Sequence, residues 1–420
     1  MRIRPANFWL LALVFILFPA LLKAQDQGSW SERMALSQAR QETPLIHLDG
    51  KLYQTGGLGT SRTAIKSVEV FDIASNNWSV VADLPITLHH HGGVATAGKV
   101  FTIGGYSATQ FIESTRLHAF SPGTGSWSTL SPVPRQIGAH ASVEFNGEIY
   151  IFGGTYFNAA YTHAYKYTPS TDSWTELQPL PFASEHLSAA VMDNKIYVTG
   201  GRLRQNFVLT NRTDLQIYDP DTDSWQIKAS MRQARAGHAS ASVNSRLYVF
   251  GGESFEEGPE IIRSVEEYDP VTDTWRFLDD MPEPRHGLGA VVVNSQIWLS
   301  GGGAVAGFST TSNTAVFTPP SVATFSEFEA ELPSQVDVLS VYPNPTKGSS
   351  TIELELNEAM RVGVRVLDVM GREVASLPDR LLHAGVNSVS VELDHLSAGS
   401  YFVAMRLNDH HFVRELQVVK

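Results

Sequence analysis

The chain contains no cysteine. That absence removes disulfides, cysteine-ligated zinc, a thiol nucleophile and the acylated cysteine of a lipoprotein anchor. Positive charge is also scarce. The 31 Lys and Arg against 43 Asp and Glu leave a formal charge of −12, which speaks against nucleic acid as a partner, because that needs a basic face. Only 18% of the 420 residues are charged and 43% are apolar. This is a globular composition with a large core, and enough chain for two or three domains. No Gly-x-Ser-x-Gly elbow, phosphate loop or zinc spacing occurs. No cofactor and no metal are therefore expected, and no catalytic residue is legible.

Long apolar runs are limited to one. Phe8 to Leu22 follows Arg2 and Arg4 and leads to Ala24. The run is short for a membrane span and has the order of a secretory signal. Residues 1–24 are read as a signal peptide for export to the periplasm, the alternative being an uncleaved anchor. No transmembrane span is expected in the mature chain.

What is abundant is a repeat. Gly pairs stand at Gly56-Gly57, Gly104-Gly105, Gly153-Gly154, Gly200-Gly201, Gly251-Gly252 and Gly301-Gly302, 47 to 51 residues apart. Trp30, Trp78, Trp127, Trp174, Trp225 and Trp275 each precede the next pair by 26 residues. A period of this size held over six units means a propeller or another repeat architecture. Each unit carries four short β-rich runs. In the third, His140 to Phe145 and Ile149 to Phe152 flank the hairpin turn Asn146-Gly147, and later strands end at Tyr167 and Trp174. Aromatic residues recur three before each Gly pair. Leu45, Gly93, Ser142, Ala189, Ser240 and Ala290, mostly small, suit innermost strands crowding an axis. The sixth unit lacks a tryptophan after Phe317 and Trp30 stands alone before the first. A strand around Trp30 closing the last blade would remove the open edge.

With an apolar run, Gly-Gly, Tyr and then Trp in each unit, the segment from about 28 to 320 resembles Kelch repeats. The resemblance implies an all-β, six-bladed Kelch β-propeller closed by an N-terminal strand, here residues 25–318. Residues 319–337, with Pro319-Pro320 and Pro333, read as a linker. Beyond it, Tyr342-Pro343-Asn344-Pro345 opens alternating runs at Thr351 to Leu356, Val362 to Val369, Val386 to Leu393 and Tyr401 to Leu407, with turns at Met370-Gly371 and Ala398-Gly399. These predict a small Ig-like β-sandwich over 338–420. The segment is similar to the type A C-terminal sorting domain of the type IX secretion system, through Leu367 to Val374, Ala384 to Asn387 and Leu396 to Val403 as well as the opening motif. That likeness implies the type IX machinery as a partner, carriage across the outer membrane, and a secreted or surface location.

Candidate binding residues come from the loops. The distance from Gly pair to tryptophan varies from 21 to 25 residues, so length variation falls in the segment after the second strand. Variable loops on a rigid scaffold are where binding usually lives. Ten residues after a tryptophan stand Arg40, Arg235 and Arg285, with Arg135 near the same level. Arg202, Arg204 and Arg212 lie in the fourth variable loop. Converging guanidiniums would suit a carboxylate; the alternative is pairing with Glu253, Glu256, Glu257 and Glu260 of the next loop. Thirteen residues after a tryptophan come His91, His140 and His238, either a ligand set or strand-start residues bonded to neighbouring loops, and His89-His90-His91 forms a run. Tyr106, Phe111, Tyr156, Phe157, Tyr161 and Phe207 are aromatic loop residues that would stack on sugar or cap blade tops. The tryptophans are expected in the core. The expected function is an exported monomeric binding module for a glycan or protein. The alternative is an enzyme similar to six-bladed Kelch mutarotases of sialic acid, with an Arg on the carboxylate and a Glu moving a proton.

Overall fold

The computed structural model describes residues 27–107, 112–205, 208–320, 336–368, 373–407 and 410–419. The signal sequence, Phe111, Phe207, the Met370-Gly371 turn and most of the linker lie outside them. No helix among the described residues is long and apolar enough to cross a membrane.

Residues 29–318 form six four-stranded antiparallel sheets. In the third, Ala141–Phe145, Glu148–Phe152, Ala164–Thr168 and Ser173–Glu176 follow one another outward from the axis. The innermost strands neighbour one another in a closed cycle, first against sixth included. All six hairpin turns between first and second strands have both central residues at positive φ, as at Asn146 (52°) and Gly147 (83°), the geometry that matches strand twist. The expected closure is present. Ser29–Arg33 pairs with Thr314–Thr318, Trp30 opposite Phe317, so the sixth blade borrows its outer strand from the other end of the segment and the ring has no open edge.

The tryptophans correct one expectation. Trp78 and Trp275 are buried, but Trp30, Trp127, Trp174 and Trp225 are only half-buried. All six sit on outer strands; Trp30 packs on Phe317, and the other five pack on the aromatic seven residues before them and latch blade to blade. The indole Nε1 of Trp78, Trp127, Trp174, Trp225 and Trp275 donates to the carbonyls of Met34, Ala82, Ser131, Gln178 and Ala229 at 2.7–3.0 Å. Each acceptor stands four residues after the preceding tryptophan. The latch thus joins two fixed points of the repeat, the tryptophan of one blade and the residue four after the tryptophan of the blade before. Trp30 Nε1 has no acceptor.

Residues 336–418 form a separate sandwich of a three-stranded and a four-stranded sheet. Its core joins Ile352, Leu354, Val364, Val366, Val389, Val391, Val403 and Met405, the alternate positions of the predicted strands. Two strands lie beyond the predicted runs, Val336–Tyr342 and Glu373–Leu382, and the chain ends in the expected terminal strand, His410–Val418.

Candidate functional site

Three sixfold positions meet at one end of the propeller axis. Twelve residues after the successive tryptophans stand Glu42, His90, Ala139, His186, Gly237 and Gly287. All six have φ between 52° and 63°, a left-handed conformation that strains residues other than glycine. The reason is a closed ring of backbone hydrogen bonds. Each amide donates to the carbonyl of the equivalent residue one blade earlier, at 2.7–2.9 Å, and Glu42 N donates to Gly287 O to complete the circle. The residue just before each of these pairs with the residue just after the Gly pair of its own blade. His89 pairs with Tyr106, Glu185 with Arg202, Ala236 with Glu253 and His286 with Gly303. The variable loops therefore begin directly over the ring. Below it lies an axial cavity of about 170 Å³, lined in each blade by the ring residue and the three that follow.

The charged side chains at this mouth form one network. Arg202 donates to Glu185 Oε1 (2.6 Å) and Glu253 Oε1 (2.9 Å), and Arg204 adds a contact to Glu185 at 3.3 Å. His186 Nδ1 lies 2.7 Å from Glu185 Oε2. Glu42 lies 3.4 Å from His90 Nε2 and 3.8 Å from His286 Nε2. Tyr106 packs edge-on to His90 at 5.2 Å and its hydroxyl bonds to Thr155. Burial is the first influence on every titration here. Burial, then the Glu253 carboxylate, pushes Glu42 up to about 8, although Arg202 opposes the rise. Burial alone would also raise Glu185, but His186, Arg202 and Arg204 hold it below the usual carboxylate range. Burial, aided by the neighbouring His89, keeps His90 neutral, and burial with Arg202 lowers His186. The mouth thus combines a protonated carboxyl, ionised carboxylates and neutral imidazoles. Glu42, His90 and His186 also lie close enough together to hold a metal ion, a grouping brought together from three blades that has no local spacing in the sequence.

The residues expected from the sequence divide sharply. Arg202, Arg204, Glu253 and Tyr106 belong to the mouth, and the pairing of Arg202 with Glu253 is the alternative weighed for the loop arginines. Tyr106 is buried, so it does not offer a free stacking face. Arg40, Arg235 and Arg285 do not converge on a pocket. Each is at most 1% exposed and binds inside its own blade. Arg40 Nη1 donates to Gly56 O and Ser67 O (both 3.0 Å), with Glu69 at 2.6 Å from Nη2. Arg235 repeats this with Gly251 O, Ser264 O and Glu266, and Arg285 with Gly301 O and Asn313 O. A left-handed residue two positions on turns the chain, so these side chains point outward beneath the Gly pairs. Arg135 is exposed beside Tyr165 and His163, away from the ring. Arg212 pairs with Asp214 and stacks on Phe182.

His91, His140 and His238 do not meet either. Each lies back against the preceding blade, where a side chain on Gly56, Gly104 or Gly200 would come within 3.0–3.2 Å of the ring. His91 and His238 bond to the hydroxyls of Thr55 and Thr199. Burial lowers their pKa values to about 3, 4 and 3 respectively, so they are neutral packing groups. Tyr156 is half-buried in a rim hairpin against Phe157 and Tyr161, and Phe157 is 74% exposed. Glu42, His186, Glu185 and His286 do not follow from the sequence pattern as read, yet a signal for them exists: Glu42 and His186 hold the sixfold position one residue before that of His91, His140 and His238, and Glu185 and His286 the position two residues before it.

The KLHDC2/KLHL20/DRC7 Kelch-repeats domain matches residues 26–201 and 131–302. The chain belongs to the Kelch-repeat family. Beyond the propeller, residues 340–419 match a secretion system C-terminal sorting domain. This Kelch chain is similar to Kelch repeat and BTB domain-containing protein 8 of Danio rerio, 33% identical over 79 residues (18% of this chain and 13% of that protein). It is also similar to Kelch-like protein 15 of the same species, 27% identical over 226 residues, or 54% and 32%. The first of these matches spans about an eighth of the relative's length, so the similarity concerns repeats and not whole proteins. The solved structure of YjhT aligns at a TM-score of 0.60 with 16% identity, over 68% of this chain and 97% of that one. At that identity the likeness speaks for the fold. The repeats make the body of the chain, and the sorting domain supports export to the cell surface or secretion.

Proposed function

We propose that the Kelch propeller is a binding module, exported after loss of residues 1–24, that holds a glycan or protein ligand on its loop face as a monomer. One observation carries the reading. The variable loops all start at the ring around a polar mouth, while the tip of the third exposes Phe157. Rigid scaffold, adaptable rim and a few buried polar groups are the usual anatomy of a recognition site. The axial cavity below the ring is small for a whole ligand, so the reading places recognition on the loop side. A glycan array together with a panel of matrix proteins tests this. Tyr156→Ala/Phe157→Ser is expected to weaken the ligand found by at least ~10-fold, the loss of about 1.4 kcal/mol, with unchanged melting. No ligand in either screen, or full affinity in the double variant, removes the reading.

A second reading is favoured by Glu42. A buried carboxyl held near pH 8 beside an imidazole is suited to moving a proton at neutral pH. That supports an isomerase similar to the sialic acid mutarotases. Arg202 speaks less for it, because two carboxylates already engage that guanidinium. Anomer exchange of sialic acid followed by NMR decides: no acceleration by the protein excludes the enzyme.

A further inference from the structure

Three imidazoles at the axial mouth share one arrangement. His186 Nδ1 faces Glu185 Oε2 at 2.7 Å, His286 Nδ1 faces Gly303 O at 3.1 Å, and His90 Nδ1 faces His89 Nδ1 at 2.6 Å. For His186 and His286 an acceptor on this side holds the proton on Nδ1 and leaves the lone pair on Nε2, the tautomer that ligates a metal; on His186 that lone pair faces Arg202 Nη2 at 3.3 Å, a contact that a metal ion would replace. The Nε2 atoms of His90 and His286 lie 3.4 and 3.8 Å from the two oxygens of Glu42. One ligand atom from each of Glu42, His90 and His186 falls within 4.8 Å of the others.

We propose that Glu42, His90 and His186 bind a divalent first-row transition-metal ion of the zinc type, with His286 Nε2 a fourth donor beside them. In a tetrahedral zinc site with bonds near 2.0–2.1 Å, ligand atoms stand about 3.3 Å apart. The Glu42–His90 pair already has nearly that separation, and the others reach it by small side-chain rotations. Imidazole and carboxylate together select zinc-like ions over calcium or magnesium, which take all-oxygen shells.

Two independent features point to an occupant. His286 has a side chain only 1% exposed, and its Nε2 makes no hydrogen bond while facing the carboxylates of Glu253 at 3.5 Å and Glu42 at 3.8 Å. A buried polar atom without a hydrogen bond is costly, and an ion between this imidazole and the carboxylates would satisfy it. Gly287 holds open the space in which Glu42 lies: a Cβ there would come 2.5 Å from Glu42 Oε1. Behind His186, Glu185 supplies the carboxylate that typically orients a metal-bound histidine. Metal binding here does not depend on the rim's recognising any ligand.

The test uses the full secreted chain, purified without a histidine tag, stripped with chelator and titrated with Zn²⁺ alone by calorimetry. One ion per chain is expected, with Kd on the order of one micromolar or tighter. Glu42→Gln, which keeps shape and backbone, and His186→Gln should each weaken it at least ~10-fold. The unaltered chain loaded with Co²⁺ should show the visible absorption of a four-coordinate ion, a readout that needs no variant to fold. Stoichiometric binding absent from the unaltered chain overturns the proposal. So does binding that survives both substitutions but vanishes in His410→Ala/His411→Ala, which would assign the ion to the C-terminal segment.

Discussion

Replacing Arg235 with methionine separates a scaffold role from a ligand role. The guanidinium is fully buried and donates to Gly251 O at 2.8 Å, Ser264 O at 2.9 Å, Ser264 Oγ at 2.7 Å and Glu266 Oε1 at 2.7 Å. Methionine keeps the stem and removes every donor. Two backbone carbonyls lose a partner, and the Glu266 carboxylate, itself fully buried, keeps only the amides of Arg232 and Gln233. Stranding one member of a buried ion pair costs about 3–5 kcal/mol. Adding Glu266→Gln removes the stranded charge, so the double variant should be more stable than Arg235→Met alone, a coupling readable in a double-mutant cycle. Urea unfolding followed by indole fluorescence measures this. No tryptophan occurs after Trp298, so the signal reports the propeller and not the sorting domain. The reasoning fails if Arg235→Met unfolds within ~1 kcal/mol of the parent while affinity for a glycan or protein ligand disappears. That outcome would restore the carboxylate-binding role suggested by the spacing of Arg40, Arg235 and Arg285.

Acid should destabilise the propeller through its inter-blade histidines. His91, His140 and His238 have folded-state pKa values lowered to about 3, 4 and 3, against about 6.5 in the unfolded chain. Their contribution is complete above pH 6.5 and is lost as pH falls toward 4, at roughly 1.4 kcal/mol per pH unit for each histidine. The urea midpoint should therefore fall between pH 7.5 and pH 5, and His238→Gln should flatten the profile; a midpoint that does not move contradicts the burial assigned to these rings. Trp225→Phe removes the latch to Gln178 O and should cost ~1 kcal/mol more than Trp30→Phe, whose indole has no acceptor. In a propeller of this size that is a difference of ~2–4 °C in Tm by calorimetry. Equal Tm losses would mean that the latch contributes nothing.

By itself, the sequence determined the architecture, because the propeller is built from local spacings that repeat. Each Trp-to-Gly interval carries one hairpin, and the first five carry an inter-blade latch as well; the turn chemistry of Asn146-Gly147 and its equivalents depends only on neighbouring residues. The closure by Trp30 was legible from the missing tryptophan after Phe317. Tyr106, Arg202 and Glu253 were also legible, since the residue after a Gly pair starts a variable loop. Only the tertiary structure decided which of four consecutive residues faces the axis. The ring of backbone hydrogen bonds through Glu42, His90 and His186 exists only when six blades close, and it forces those residues into the left-handed conformation. That turn sends Arg40 and His91, on either side of Glu42 and His90 in the repeat, into the scaffold. It leaves to the mouth the one position that composition and spacing had not distinguished from its neighbours.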